Sequence, residues 1–273
     1  MVAMSDTQYT PAVAQATFVS WAGGCLLIGE RGGVVPMHAH YAVQIAFGSE
    51  FGIRFRTGDD APWVAYGGAM IPSRQPHSMD STASGAWAIL FVEPETREGR
   101  LLTNLYLREP ITAIPDGALA IVRPAMFSAW RESPTTEDLT RAGWSVIQTL
   151  TGGVEPSVVS DERILRAIDH INANLGVTLT LEDVAAEAFL SPSRFRHLFV
   201  EQTGMALRPY ILWRRFLRVW ELTAGGASLS GAAHEAGFAD AAHLTRTSRR
   251  MFGFPPSAMH VSRPLRNSAP TFK

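Results

Sequence analysis

Pro36-Met-His-Ala-His-Tyr-Ala-Val-Gln44 sets His38, His40 and Gln44 at even spacing. In an extended strand, residues of equal parity share one face, so these side chains converge if the segment is a strand. Met70-Ile-Pro-Ser-Arg-Gln-Pro-His77 supplies a third imidazole after the Gly67-Gly68 pair. Three neutral imidazoles suit zinc, nickel or iron with one coordination position left open, and Gln44 is a weak, neutral fourth donor. The same residues serve equally well as the lining of an effector pocket without metal, or as histidines that satisfy one another structurally. Arg54, Arg74 and Trp87 join His38, His40, Gln44 and His77 as candidates for holding a small organic effector, anionic or aromatic; Trp21, Trp63 and Phe47 belong to the same pool and are equally ordinary as core.

A second constellation lies in the last third of the chain. Thr180–Phe199 and Ser228–Phe252 each read as a short helix with an Ala-Ala pair, a turn, and a second helix with basic and polar residues on one face. A helix-turn-helix needs one helix to brace the other so that the second enters the major groove. Leu181–Ala188 and Leu229–Ala236 fit the brace; 192–202 and 241–251 fit the inserted helix. The outward residues are Ser193, Arg194, Arg196 and His197 on the first, and Ala241, Ala242, His243, Thr245, Arg246 and Arg249 on the second. Two units about fifty residues apart suit two successive stretches of groove; a bundle with a solvated arginine face is the plainer alternative.

These groups need elements to carry them. From about Phe18 to Glu93, short apolar runs broken by Gly, Pro and Asp predict strands, with Thr57–Pro62 as a hairpin loop and Ala86–Val92 as a buried strand. Helical patterns cover 117–131 and 136–150, and Thr151–Ser157 has linker composition. Beyond it the chain reads as all-helical. Ser160 caps a helix with Ile164, Leu165, Ile168 and Ile171 on one face; Thr180 and Asp183 form a capping box; Ser191-Pro192 opens a helix; Gly204 fits a left-handed C-cap. Leu207–Ala224 joins the two units. Residues 1–15 and those after about Met259 read as poorly ordered.

Composition narrows the class. The net charge is −1 over 273 residues, but from Ser160 onward 14 Lys+Arg stand against 10 Asp+Glu, a net of +4, whereas the preceding part has 10 against 15, a net of −5. Positive charge, nearly all arginine, therefore sits with the tandem motif, as phosphate contact requires. The single cysteine, Cys25, excludes an internal disulfide framework and a cysteine-based zinc ribbon, and reads as a small buried hydrophobe. No apolar run approaches the ~20 residues of a membrane span, and no basic-then-apolar leader is visible, so a cytoplasmic protein without membrane contact is expected.

Residues 160–260 resemble the DNA-binding domain of the AraC/XylS family of bacterial transcription regulators, on Leu190-Ser-Pro-Ser193, Leu198-Phe199, Thr203-Gly204, Pro209-Tyr210, Arg215-Phe216, Ala236-Gly-Phe238, Leu244-Thr-Arg246 and Phe252-Gly-Phe-Pro-Pro256. The resemblance implies a seven-helix module with recognition helices about one DNA turn apart, and base-reading positions at Ser193, Arg196, His197, Ala241, Ala242 and Arg246. The chain departs from it at His197, where Arg is usual, at Val200, where Lys is frequent, and at Ser248, where the family has a core Phe. The two histidine segments resemble the cupin motifs His-x-His-x3-Glu and Pro-x(n)-His, with Gln44 in place of Glu, which implies a small β-barrel and, when metal is held, three histidines around it.

The expected fold is thus α+β multidomain: a cupin-like β-barrel followed by helices over 1–152 (barrel about 16–95, helices about 116–151), a linker over 153–160, an all-α tandem helix-turn-helix domain over 161–262, and a flexible tail over 263–273. The expected function is a ligand-responsive regulator, in the activator mould, that binds double-stranded promoter DNA and works with RNA polymerase. A small molecule or a divalent metal (Zn, Ni or Fe) in the barrel controls it, no cofactor is required, and helices 116–151 either pair two copies as a homodimer or pack across the barrel. No catalytic residue is assigned. The alternative is a metal-dependent cupin enzyme with a helical appendage, for which Gln44 is the wrong fourth ligand.

Overall fold

A computed structural model of the protein describes residues 14–262, apart from 22, 95, 133–134, 154–160 and 204. Ten strands come first or nearly so: β1 (Ala14–Trp21), β2 (Gly24–Glu30), β3 (Val34–His38), β4 (Val43–Gly48), β5 (Ile53–Arg56), β6 (Val64–Tyr66), β7 (Gly68–Ile71), β8 (His77–Asp80), β9 (Ala86–Val92) and β10 (Thr112–Ala113). Helices α1 (Arg97–Tyr106), α2 (Asp116–Arg131) and α3 (Thr136–Thr151) accompany them. The helical part holds α4 (Glu162–Ala173), α5 (Leu181–Glu187), α6 (Pro192–Thr203), α7 (Leu207–Ala224), α8 (Leu229–Glu235) and α9 (Ala241–Phe252), and ends in strand β11 (Met259–Ser262).

The strands form two sheets, ordered β10-β7-β4-β9-β2-β1-β11 and β3-β8-β5-β6. Strands β2, β4 and β9 are apolar almost without interruption because both faces of the larger sheet are covered. Ala46, Ile89, Phe91 and Leu27 face inward, toward the smaller sheet and α7. Val43, Ile45, Phe47, Leu90 and Ile28 face outward, under α2 and α3. Those two helices contribute Leu119, Val122, Met126, Phe127, Leu139, Val146, Ile147 and Leu150 to that layer, so their apolar stripe is spent on the sheet. Cys25 is fully buried and burial pushes its thiol pKa up, which leaves it an inert hydrophobe.

Three sequence expectations change. The helix after the linker is capped by Asp161, whose side chain accepts from Arg163 N–H, rather than by Ser160, which lies outside the described residues together with Gly204. Helix α1 has no counterpart in the apolar spacing; Thr96 caps it by accepting from Gly99 N–H. Residues 259–262, expected at the end of the helical domain, instead pair in parallel with β1, from Ala14 opposite Met259 to Thr17 opposite Ser262.

The parts share a core. Phe18 of β1 packs on Trp220 of α7 with ring centroids 5.7 Å apart, and Phe91 of β9 meets both Trp213 (5.8 Å) and Phe252 (6.0 Å). Glu93, just past β9, is buried and accepts from Arg214 Nη1 at 2.7 Å and Trp213 Nε1 at 3.3 Å. A separate cluster around Ile164, Ile171, Val184, Phe195, Phe199 and Tyr210 holds α4, α5 and α6 against the start of α7.

Candidate functional site

Antiparallel pairing of β3 with β8 puts His38 directly opposite His77, with ring centroids 4.3 Å apart. His40 follows β3 in the turn toward β4, its ring 5.8 Å from His38 and 5.3 Å from His77. Gln44 on β4 closes the group, with Oε1 2.6 Å from His40 Nε2. All four side chains are buried, and one ring nitrogen from each histidine lies within 4.8 Å of the others. Each Nδ1 faces a backbone carbonyl: His38 that of Pro36 (2.8 Å), His40 that of Ala42 (3.0 Å), His77 that of Gln75 (2.9 Å). At His38 and His77 a proton on Nδ1 satisfies this bond and leaves Nε2 with its lone pair, whereas both ring nitrogens of His40 face oxygens, Ala42 O and Gln44 Oε1. The Nε2 of His77 is buried with no hydrogen-bond partner among the described residues, an arrangement that costs about 1–3 kcal/mol.

Burial is the main reason the histidines stay neutral. It lowers the pKa of His40 to about 3, helped by the proximity of His77, and that of His77 to about 4; His38 is lowered well below its ordinary value by burial and then by His77 and His40. In the unfolded chain each titrates near its ordinary value of 6.5. Between the two values the unfolded state binds more protons, so folding stability is complete above about pH 6.5 and falls as pH drops toward 4. Each histidine contributes a slope of up to about 1.4 kcal/mol per pH unit. Urea unfolding of the metal-free chain from pH 8 to pH 5 should show that decline, and His77→Asn should flatten it. A midpoint flat over this range rules out a buried neutral triad.

Phe91 and Met79 complete the surroundings, which sequence spacing alone did not attach to the site. The Phe91 ring sits edge-on to His40 at 4.8 Å, and Gln44 Nε2 donates to Met79 Sδ at 3.7 Å. The other effector candidates are not gathered here. Arg54 pairs with Asp80 and lies 5.9 Å over the Trp63 ring on the outside of the smaller sheet. Arg74, with φ of +65°, donates its backbone N–H to His40 O at 2.8 Å but carries its guanidinium over Tyr41 at 5.5 Å. Trp87 is buried on β9 four residues from Phe91, roughly 13 Å along the strand.

The tandem units are built alike. Thr180 and Asp183 make a reciprocal capping box on α5, and Ser228 Oγ accepts from Gly231 N–H on α8. Their turns carry matching bonds: Leu190 N–H to Ala185 O at 3.0 Å, and Phe238 N–H to Ala233 O at 2.9 Å. Each turn has one left-handed residue, Phe189 in the first (φ +52°) and Gly237 in the second (φ +81°). Ser193, Arg194, Arg196 and His197 are exposed on α6, opposite buried Phe195 and Phe199. On α9, Ala241, Ala242, Arg246 and Arg249 are exposed, His243 and Thr245 are half-buried, and Leu244, Met251 and Phe252 face the core. His243 lies edge-on to Phe238 at 5.3 Å, and Thr245 Oγ1 donates to Ala241 O, so both are partly engaged within the domain. Ser248, where a large core ring was the family pattern, is fully buried and donates to Phe254 O at 2.6 Å.

The end of α9 lies against the histidine site. Ala39 N–H meets Arg250 O at 3.5 Å. Gly253, the left-handed cap of α9 at φ +76°, leaves no space for a side chain: a Cβ there would stand 2.7 Å from Pro36 O and 3.2 Å from His38 Nδ1.

Residues 184–260 match a family model described as a helix-turn-helix domain. The regulatory protein PocR of Salmonella typhimurium is 28% identical over 99 residues, 36% of this chain and 33% of that protein, so the chain spans about a third of the length of this curated relative. Solved structures of ToxT from Vibrio cholerae share the fold. An apo form matches with a TM-score of 0.55 at 11% identity, over 85% of this chain and 95% of that one. A form described as bound to an unsaturated fatty acid matches with a TM-score of 0.54 at 10% identity, over 91% and 95%. At such identity the likeness is one of fold. Among the described residues no helix is long and apolar enough to cross a membrane. The helix-turn-helix match and the similarity to a regulatory protein thus bear on the last third of the chain, and the likeness to ToxT is one of fold, a β-rich part ahead of a helical one.

Proposed function

We propose that the chain recognises promoter DNA through both helix-turn-helix units, with α6 and α9 as the recognition helices, and that a small effector bound at the histidine cluster of the β-domain controls it. The observation that carries this reading is the pair of equivalently braced helices, each with its arginines exposed on one side and its large apolar side chains buried on the other. Arginine contacts to phosphate supply affinity, and a few side chains at base edges supply selectivity. On α6, Arg196 and His197 can hydrogen-bond bases, with Ser193 and Arg194 beside them. On α9, Ala241 and Ala242 offer only methyl contacts to thymine, so Arg246, flanked by His243, Thr245 and Arg249, bears the polar readout there. As a regulator the protein acts on RNA polymerase at the promoter and works as a homodimer.

Arg196→Ala and Arg246→Ala are each expected to weaken specific binding by about 1–3 kcal/mol, without a matching loss on unrelated DNA. Fluorescence anisotropy on the upstream DNA of its own gene, at fixed salt, measures this. Wild-type affinity in both variants would show that α6 and α9 are not the reading helices.

The effector reading rests on the four buried polar side chains that converge at one place, with Phe91 and Met79 as apolar walls. Arg54, Arg74 and Trp87 take no direct part in it.

A further inference from the structure

We infer that the exposed ring of Phe189, with the Arg166 guanidinium beside it, is a DNA contact that packs on the sugar–phosphate backbone at the rim of the groove α6 enters. The contact rests on the regulator reading above and adds to it a residue outside both recognition helices.

Phe189 carries two costs. It is 81% exposed, more than any other large apolar side chain among the described residues, so its ring stands in water. It also occupies the left-handed position of its turn, φ +52°, where a side chain crowds its own backbone. The second unit provides a comparison within the same chain. Its equivalent residue is Gly237, which takes φ +81° without that strain. The two turns otherwise match bond for bond. Phe189 N–H donates to Ala186 O (2.9 Å) and Leu190 N–H to Ala185 O (3.0 Å) in the first. Gly237 N–H donates to His234 O (3.0 Å) and Phe238 N–H to Ala233 O (2.9 Å) in the second. Glycine would therefore build the first turn as well, and would remove both costs. A strained, solvent-facing ring where glycine suffices serves something outside the fold.

The motif sets what lies outside at this place. In a helix-turn-helix the first helix crosses the DNA backbone and the second enters the major groove by its N-terminus, so the turn between them lies at the groove rim. Phe189 is three residues before Pro192, the first residue of α6, a reach of roughly 11 Å at most. The charge beside the ring has the right sign. Arg166 of α4 holds its guanidinium 5.4 Å from the ring centre, is exposed, and has no ion pair among the described residues. Glu187, the nearest acid in sequence, faces His170 Nδ1 at 3.6 Å. A guanidinium on a phosphate and an apolar ring on the adjoining sugar fix the register of α6 and add affinity without reading sequence.

Fluorescence anisotropy of the full-length chain on the upstream DNA of its own gene, across a series of salt concentrations, tests this. Phe189→Gly should bind roughly tenfold or more weakly at every salt concentration, as loss of a buried apolar contact requires. The slope of log affinity against log salt should stay that of wild type, whereas Arg166→Ala should reduce it by about one. In DNase footprints, Phe189→Gly should weaken protection at the end lost in Arg196→Ala and spare the end lost in Arg246→Ala. Phe189→Tyr should keep wild-type affinity. Phe189→Asn, which tolerates the left-handed backbone but has no ring, should match Phe189→Gly. Urea unfolding separates a structural role: the Phe189→Gly midpoint should equal or exceed that of wild type. A lower midpoint, or wild-type affinity in both ringless variants, overturns the proposal. So does unchanged DNA binding with transcription lost in the presence of RNA polymerase, which would make the ring a protein contact. A wild-type chain that binds no DNA at any salt concentration overturns the regulator reading, and the contact falls with it.

Discussion

Glu93→Ala should lower the free energy of unfolding by about 3–5 kcal/mol, the usual cost of removing one partner from a buried ion pair. Glu93 has only 6% of its side chain exposed and Arg214 has 20%, so deletion strands a guanidinium in the seam between the β-domain and α7. Trp213 Nε1 loses its acceptor in the same stroke. The Arg214 contact to Asn172 Oδ1 at 2.9 Å survives and holds the loss toward the lower end of that range. Glu93→Gln, which keeps an acceptor for Trp213, should cost less. Glu93→Leu combined with Arg214→Met should regain most of the loss, because neither charge is then left buried alone. Urea unfolding followed by tryptophan fluorescence gives the three values. A Glu93→Ala chain within 1 kcal/mol of wild type would mean that water reaches the pair.

Phe252→Ala should cost a similar amount, about 3–5 kcal/mol, for a different reason. Its ring is surrounded by Phe216 (4.5 Å), Trp220 (4.6 Å), Phe91 (6.0 Å), Trp213 (6.0 Å) and Phe254 (6.2 Å). Neighbours this large cannot collapse into the space left behind. The variant also frees the last turn of α9, so the Arg246-dependent end of the footprint should be lost before the Arg196-dependent end. Phe252→Leu should retain most of the stability and both ends. A Phe252→Ala chain that melts like wild type would remove Phe252 from the centre of the shared core.

The helices of the helix-turn-helix part were legible because their signals are local. Thr180 with Asp183, and Ser191 before Pro192, lie within a few residues of the ends they mark, and Leu207–Ala224 carries its period in its own sequence. The histidine cluster was legible for half of its geometry. The spacing picked out His38, His40 and Gln44, but not by parity along one strand: they lie on β3, the turn after it and β4, and only the β3–β8 register, set between segments some forty residues apart, puts His77 across from His38. What could not be read belongs to the seam. Nothing near Glu93 announces Arg214, 121 residues on, and Phe252 is an apolar residue like any other until Phe91 is found beneath it. Ser248 shows the same limit, since its hydroxyl is satisfied by the backbone oxygen of Phe254, six residues away. The boundary between Ser160 and Asp161 turned on which of two adjacent capping residues bonds the helix, a choice that spacing does not make.

The parallel pairing of β11 with β1 has a bearing on how the protein is made. Strand β1 leaves the ribosome ahead of both its partners; β2 follows closely and covers one edge, but the other edge waits for Met259–Ser262, some 240 residues later. At ordinary synthesis rates that is about ten seconds to a minute during which a row of unpaired amides is open to other nascent chains. Expression in a host with slow elongation and crowded polysomes should therefore favour inclusion bodies, and chains released before residue 259 should aggregate although α1 to α9 are already complete.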